Sequence, residues 1–147
     1  MISLTFLRSA LPGVALAACV MFAAPALAET ISFKADLKAS EVVPPNDSKA
    51  TGTVTATYDT ASKKLTWKGN YSGLTGPATM AHFHGPAEPG KNAGVAVPIT
   101  PSTSPFENSA NLTDAQAADL MAGRWYVNVH TGAHPGGEIR GQLVKGM

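Results

Sequence analysis

All four histidines of this chain lie between residues 82 and 134: His82, His84, His130 and His134. Successive side chains of a β-strand alternate between faces, so Met80, His82 and His84 share one face of a short strand, and Ala81 and Phe83 the other. In a later run Trp125, Val127 and Val129 share one face, and Tyr126, Asn128 and His130 the opposite one. The bulky apolar set belongs to the core, which directs His130 outward or into a cleft. Alternate residues of a strand sit about 6.6 Å apart at Cα, a gap that two imidazoles can close to share an ion about 2.0–2.1 Å from each nitrogen. A third imidazole from a neighbouring strand completes a site. Imidazole suits copper, zinc, nickel or iron. The thioether of Met80 on the same face tilts the choice to copper, above all Cu(I), with zinc as the alternative.

The two histidine segments resemble each other. His84-Gly85-Pro86-Ala87-Glu88-Pro89-Gly90 aligns without a gap on His130-Thr131-Gly132-Ala133-His134-Pro135-Gly136, with identity at four of seven positions. In each, a strand ends in histidine before a Pro-Gly turn. This predicts two strand ends of similar geometry, side by side in one sheet, with His82, His84 and His130 converging. His134 and Met80 are accessory candidates. The plainer reading of the same residues is hydrogen-bonding or solvent-facing histidines, His134-Pro135 as turn chemistry and Met80 as core filler. Glu138 and Arg140 share an outward face and read as groups that orient imidazoles, or as an ordinary surface ion pair.

The elements that must position these residues are strands. Gly, Pro, Thr and Val outweigh the long helix formers. Ile31 to Val43 reads as a strand ended by Pro44-Pro45-Asn46-Asp47. Thr53–Tyr58 and Lys64–Tyr71 alternate on either side of a turn at 59–63, which makes a hairpin. Met80–His84 and Val95–Ile99 are short strands, and Pro98 marks an edge or strand end. Thr113 caps one short helix, Gln116 holds the reciprocal position of a capping box, and Gly123 ends it. Arg124–His130 and Glu138–Val144 are two further strands. About eight short strands with closely spaced turns predict an antiparallel β-sandwich or barrel.

The first 28 residues have the parts of a secretory signal. Arg8 supplies the charged start, Ala10–Leu27 carries no charge, and Ala26-Leu27-Ala28 precedes the polar Glu29. Pro12, Gly13 and Pro25 argue against a retained span. Leu16-Ala17-Ala18-Cys19 resembles a lipobox, but Val20-Met21-Phe22 would then open the mature protein. Cleavage near Ala28 is the expectation, with residues 29–147 forming one domain in the periplasm or outside the cell. Losing Arg8 from the eleven basic residues balances the ten acidic ones, so no electrostatic footprint for nucleic acid or an anionic membrane remains. Cys19 is the only cysteine. Its loss excludes disulfides, thiolate zinc sites, a cysteine nucleophile and a blue-copper centre.

Four segments carry a family resemblance. Phe33-x-Ala35-x-Leu37-x-Ala39-Ser40-x-Val42-x-Pro44-Pro45, Ala81-His82-Phe83-His84-Gly85-Pro86-Ala87, Trp125-Tyr126-Val127-Asn128-Val129-His130-Thr131 and Pro135-Gly136-Gly137-Glu138-Ile139-Arg140-Gly141-Gln142 resemble the CHRD family. That domain was first described in chordin and is widespread in secreted bacterial proteins. The resemblance implies an extracellular Ig-like or superoxide-dismutase-like β-sandwich and no settled activity. More distantly, His-x-His in one strand and Val-x-His in a later one are similar to the way copper–zinc superoxide dismutase supplies three copper ligands. This chain lacks that family's disulfide cysteines and long zinc loop, so the likeness supports a three-histidine copper site rather than dismutation. The leading expectation is therefore an exported copper-binding protein for storage, delivery or protection. A non-metal interaction or structural module, its protein partner unidentified, comes second, and a copper oxidoreductase third. Hydrolase chemistry has no foothold, because no nucleophile–base pair, acidic dyad or phosphate loop is legible.

Overall fold

The computed structural model describes residues 27–146. The expected export signal, apart from its last two residues, and the Leu16–Cys19 lipobox lie outside the described residues. Nine strands, one α-helix and one 3-10 turn form among the described residues. Strand β1 (Thr30–Lys38) buries Phe33, Ala35 and Leu37. It pairs antiparallel with β2 (Thr51–Asp59), which buries Val54, Ala56 and Tyr58 and turns its threonines away from the core. The predicted hairpin carries β2 into β3 (Lys64–Ser72), in register from Asp59↔Lys64 to Thr51↔Ser72. Asp59 Oδ1 shapes its turn by accepting from the Ser62 N–H and hydroxyl, both at 2.7 Å.

The remaining strands are β4 (Ala78–His84), β5 (Val95–Pro98), β6 (Phe106–Asn111), β7 (Tyr126–Thr131), β8 (Ile139–Gln142) and β9 (Val144–Lys145). They join in one continuous sheet of order β5-β4-β7-β8-β1-β2-β3-β6, with β9 pairing β1 off that path. The seam between its halves is narrow. β8 meets β1 only at Lys38↔Arg140, and β9 meets it at Phe33↔Lys145 and Lys34↔Val144. The sheet folds over at this seam into the expected all-β antiparallel sandwich. Trp67 of β3 therefore meets Phe83 of β4 edge-on, ring centroids 5.1 Å apart, although their strands are far apart in the sheet. Trp125 also packs on Phe83, with ring centroids 5.9 Å apart. Such aromatic pairs add about 0.5–1.5 kcal/mol beyond the area they bury.

Helix α1 (Asp114–Met121) carries the predicted capping box, with Gln116 N–H donating to Thr113 Oγ1 at 3.2 Å and Thr113 N–H to Gln116 Oε1 at 3.0 Å. Gln116 Nε2 also donates to Ala96 O at 3.1 Å, which ties the helix to β5. No helix among the described residues is long and apolar enough to cross a membrane.

Two boundaries and one whole strand differ from the expectation. β1 ends at Lys38 and not near Val43. A single 3-10 turn follows at Ala39–Glu41, and the Ala39 carbonyl accepts from Val42 N at 3.3 Å and Asn46 N at 3.4 Å. Ala39 and Val42 stay buried through the turn, so the apolar pattern outlasts the strand. The last strand breaks at Leu143, whose N–H donates to Trp125 O at 2.9 Å while its side chain enters the core at the seam. Strand β6 was not anticipated. It is a polar edge strand anchored by Phe106, whose ring lies where a Cβ on Gly69 would stand, at 2.5 Å, so β3 needs glycine at that point.

Candidate metal centre

Strands β4 and β7 pair antiparallel in the register Met80↔His130, His82↔Asn128 and His84↔Tyr126. The two histidine-bearing strands are thus neighbours, as expected, but their ends leave at opposite sides of the sheet. Convergence comes from the shared face instead. Ala81, Phe83, Val127 and Val129 take the core side and are buried, which leaves Met80, His82, His84, Tyr126, Asn128 and His130 on the other. His82 stands between His84 and His130. Ring centroids are 5.4 Å apart for His82–His84, 5.2 Å for His82–His130 and 6.0 Å for His84–His130. One nitrogen of each ring lies within 4.8 Å of the other two.

This outer face is covered by loops rather than open to water. His84 and His130 are buried, at 8% and 6% exposure, and His82 is half-buried. The loop at 85–94 and the turn at 131–137 supply backbone carbonyls to the rings. His84 Nδ1 lies 3.0 Å from Ala93 O, and His130 Nδ1 lies 2.9 Å from Pro135 O. A carbonyl only accepts, so both Nδ1 atoms carry a proton, and in a neutral ring the Nε2 atom then presents a lone pair. His82 Nδ1, 3.3 Å from His130 Nε2, then donates to it. His84 Nε2 is buried and meets no hydrogen-bond partner.

Burial holds His82 below the ordinary histidine range, and the rings of His130 and His84 add to the effect. Burial is also the main cause for His84, acting against the Ala93 carbonyl, which favours a protonated ring; His130 and Arg140 push the same way as burial. Both rings are therefore held in the neutral form that binds a metal. A carbonyl acceptor on the second nitrogen of a histidine is also how ligand rings are commonly fixed in tautomer and orientation.

Behind His84 lies a stacked layer. Its ring is parallel to Tyr126 within 3°, with centroids 4.9 Å apart, and the Arg140 guanidinium carbon lies 3.5 Å from the Tyr126 ring centroid. Ala93 N–H donates to Tyr126 Oη at 3.0 Å, and that hydroxyl faces Ala93 O at 3.3 Å. Arg140 Nη1 donates to Asn92 Oδ1 at 3.0 Å and Nη2 to Lys91 O at 2.7 Å. Tyr126 and Arg140 thus fix residues 91–93, whose last carbonyl fixes His84. The surface ion pair read for Glu138 and Arg140 does not form. Both are buried under the loops, and Glu138 accepts instead from Ser48, Thr75 and Thr131.

Of the remaining candidates, His134 is half-buried in the turn after β7 and lies outside the converging trio. Its backbone makes the turn, donating to Thr131 O at 3.1 Å and accepting from Gly137 N at 3.0 Å. Met80 is 48% exposed and is not core filler. Tyr126 and the carbonyls of Ala93 and Pro135 were not singled out from the sequence. Backbone carbonyls leave no trace in residue type, and Tyr126 could have been found only from its shared face with His130. A groove of about 620 Å³ lies elsewhere, over Thr55, Thr57, Thr66 and Lys68 on the far half of the sheet. Its lining groups bring no comparable set of ligands together.

A family model described as CHRD domain matches residues 33–143. No curated protein and no solved structure matches the chain.

Proposed function

The chain belongs to the CHRD domain family, and from that premise we propose that it is an exported copper-binding protein whose ligands are His82, His84 and His130. The observation that carries this reading is the buried, unpartnered Nε2 of His84, on a ring that has one nitrogen within 4.8 Å of a nitrogen on each of two further imidazoles. A purely structural cluster would account for the His82–His130 hydrogen bond, but it leaves that lone pair without a partner, at a cost of about 1–3 kcal/mol. An ion with a vacant orbital satisfies all three. Only one rearrangement is needed: the proton on His82 Nδ1 moves to the other ring nitrogen. All three ligands are neutral imidazoles and no carboxylate belongs to the group, which favours a soft, low-charge ion. Copper fits this donor set better than zinc. Storage, delivery or protection outside the cytoplasm suits a site of three rings with positions left open.

Titration of metal-stripped protein with Cu(I), Cu(II) and Zn(II) against a chromophoric chelator tests the site. One equivalent of copper should bind, and His84→Ala should weaken it at least about a hundredfold. Binding no tighter than that of a variant lacking all four histidines would end the proposal. Export is checked separately, by mass spectrometry of the protein recovered outside the cytoplasm. A mature chain beginning at Glu29 is expected, and an uncleaved chain retained in the cytoplasm would refute it.

A further inference from the structure

Four large apolar side chains are left exposed among the described residues; two of them adjoin the trio, Val95 opposite His84 and Met80 opposite His130, and of these Met80 alone carries a metal-ligating atom. It faces His130 across the β4–β7 pair and precedes His82 by one alternation on the same face. The register slips between Ala78 and Met80, so Thr79 is an extra residue against β7, and such a bulge re-aims the side chain that follows it. The inner side of the site is closed, because the loop holding Ala93 covers His84 and the turn holding Pro135 ties down His130. His84 and His130 are buried, His82 is half-buried and Met80 is exposed. Met80 is thus the exposed sulfur on this face, one alternation from His82 and opposite His130.

Resting on the copper reading above, we infer that Met80 is the transient first ligand through which this site exchanges Cu(I) with a donor or acceptor that holds copper by sulfur. A thioether binds Cu(I) well and Zn(II) poorly, so the device selects the metal as it passes. During transfer a Cu–S bond to the donor breaks as a bond to Met80 Sδ forms. That bond is then replaced by imidazole nitrogens. Copper remains Cu(I) throughout, and no electron or proton is required from outside. A ligand that bonds copper during passage, and in neither end state, lowers the barrier in both directions and leaves the affinity unchanged.

The test compares wild-type protein with Met80→Leu, and with Met80→Gln as a second substitution of similar length. Cu(I) transfer to and from dithiothreitol, which holds copper by sulfur, is followed by stopped flow through the Cu–thiolate absorbance, and the affinity is measured by equilibrium competition with bicinchoninate. Transfer should slow about tenfold or more in both variants while the Cu(I) affinity stays within about threefold, and Zn(II) transfer should be unchanged. Equal Cu(I) transfer rates in wild type and variants overturn the inference. A parallel fall in rate and affinity also overturns it, by making Met80 a permanent ligand. Wild-type protein that takes up no copper beyond the His84→Ala variant defeats the copper reading itself, which is a separate result.

Discussion

Arg140 is a cation that is only 2% exposed, and no carboxylate lies within 4.0 Å of it among the described residues. A buried charge needs compensation, and here it comes from the Lys91 carbonyl, the Asn92 amide oxygen and the face of Tyr126. The arrangement makes Arg140 a positioning residue for His84, acting through residues 91–93. Replacing it with Met keeps most of the volume and removes both hydrogen bonds. Arg140→Met should destabilise the fold by about 2 kcal/mol, from the two acceptors left unpaired. It should also lower copper affinity about tenfold, in the range typical for groups that orient metal ligands. Chelator competition on the folded fraction separates the two effects. A lowered melting temperature with unchanged affinity would confine Arg140 to holding the loop.

At the scale of the elements, what was legible followed from periodicity and local chemistry. The hairpin of β2 and β3, the capping box of α1 and the shared face of His82 and His84 all depend on residues close in sequence, and all three formed. Pro98 was read as an edge signal, and it ends the edge strand β5. The elements that escaped are those made by distant partners. β6 runs Phe-Glu-Asn-Ser-Ala-Asn, without apolar alternation, and exists because β3 offers it a backbone edge and Gly69 offers Phe106 a slot. The end of β1 was hidden because Ala39 and Val42 keep the apolar pattern going after the backbone has turned. The site shows the same division. The candidate trio came from spacing on β4 and repetition of the His–Pro-Gly pattern at β7. The acceptors at Ala93 and Pro135 are backbone atoms brought in by loops, which the sequence does not mark.

At the scale of the whole molecule, one carboxylate links segments that are otherwise far apart. Glu138 accepts from Ser48 Oγ at 2.6 Å, from Thr75 N at 2.9 Å and Oγ1 at 2.8 Å, and from Thr131 Oγ1 at 2.7 Å. Those donors belong to the connection from β1 to β2, the connection from β3 to β4, and the end of β7. Burial on its own would raise the carboxyl, but these hydrogen bonds outweigh it and hold Glu138 down at about 2. A carboxylate depressed in the folded state contributes stability that is fully present above its unfolded value near 4.5 and lost as pH falls towards about 2. The difference corresponds to about 3 kcal/mol, a large part of the 5–15 kcal/mol typical of a domain. Urea unfolding should therefore give a free energy that is flat above pH 5 and falls steeply between about pH 4.5 and 2. Glu138→Gln should be less stable by about 3 kcal/mol at pH 7 and should lose most of that slope, because an amide cannot accept from all four donors. The donors are neutral and the site is buried, so the acid midpoint should move little between about 0.1 and 1 M salt, whereas a fold held by surface ion pairs would shift. An undiminished slope in Glu138→Gln would mean that acid acts elsewhere and that Glu138 is not what ties these three segments together.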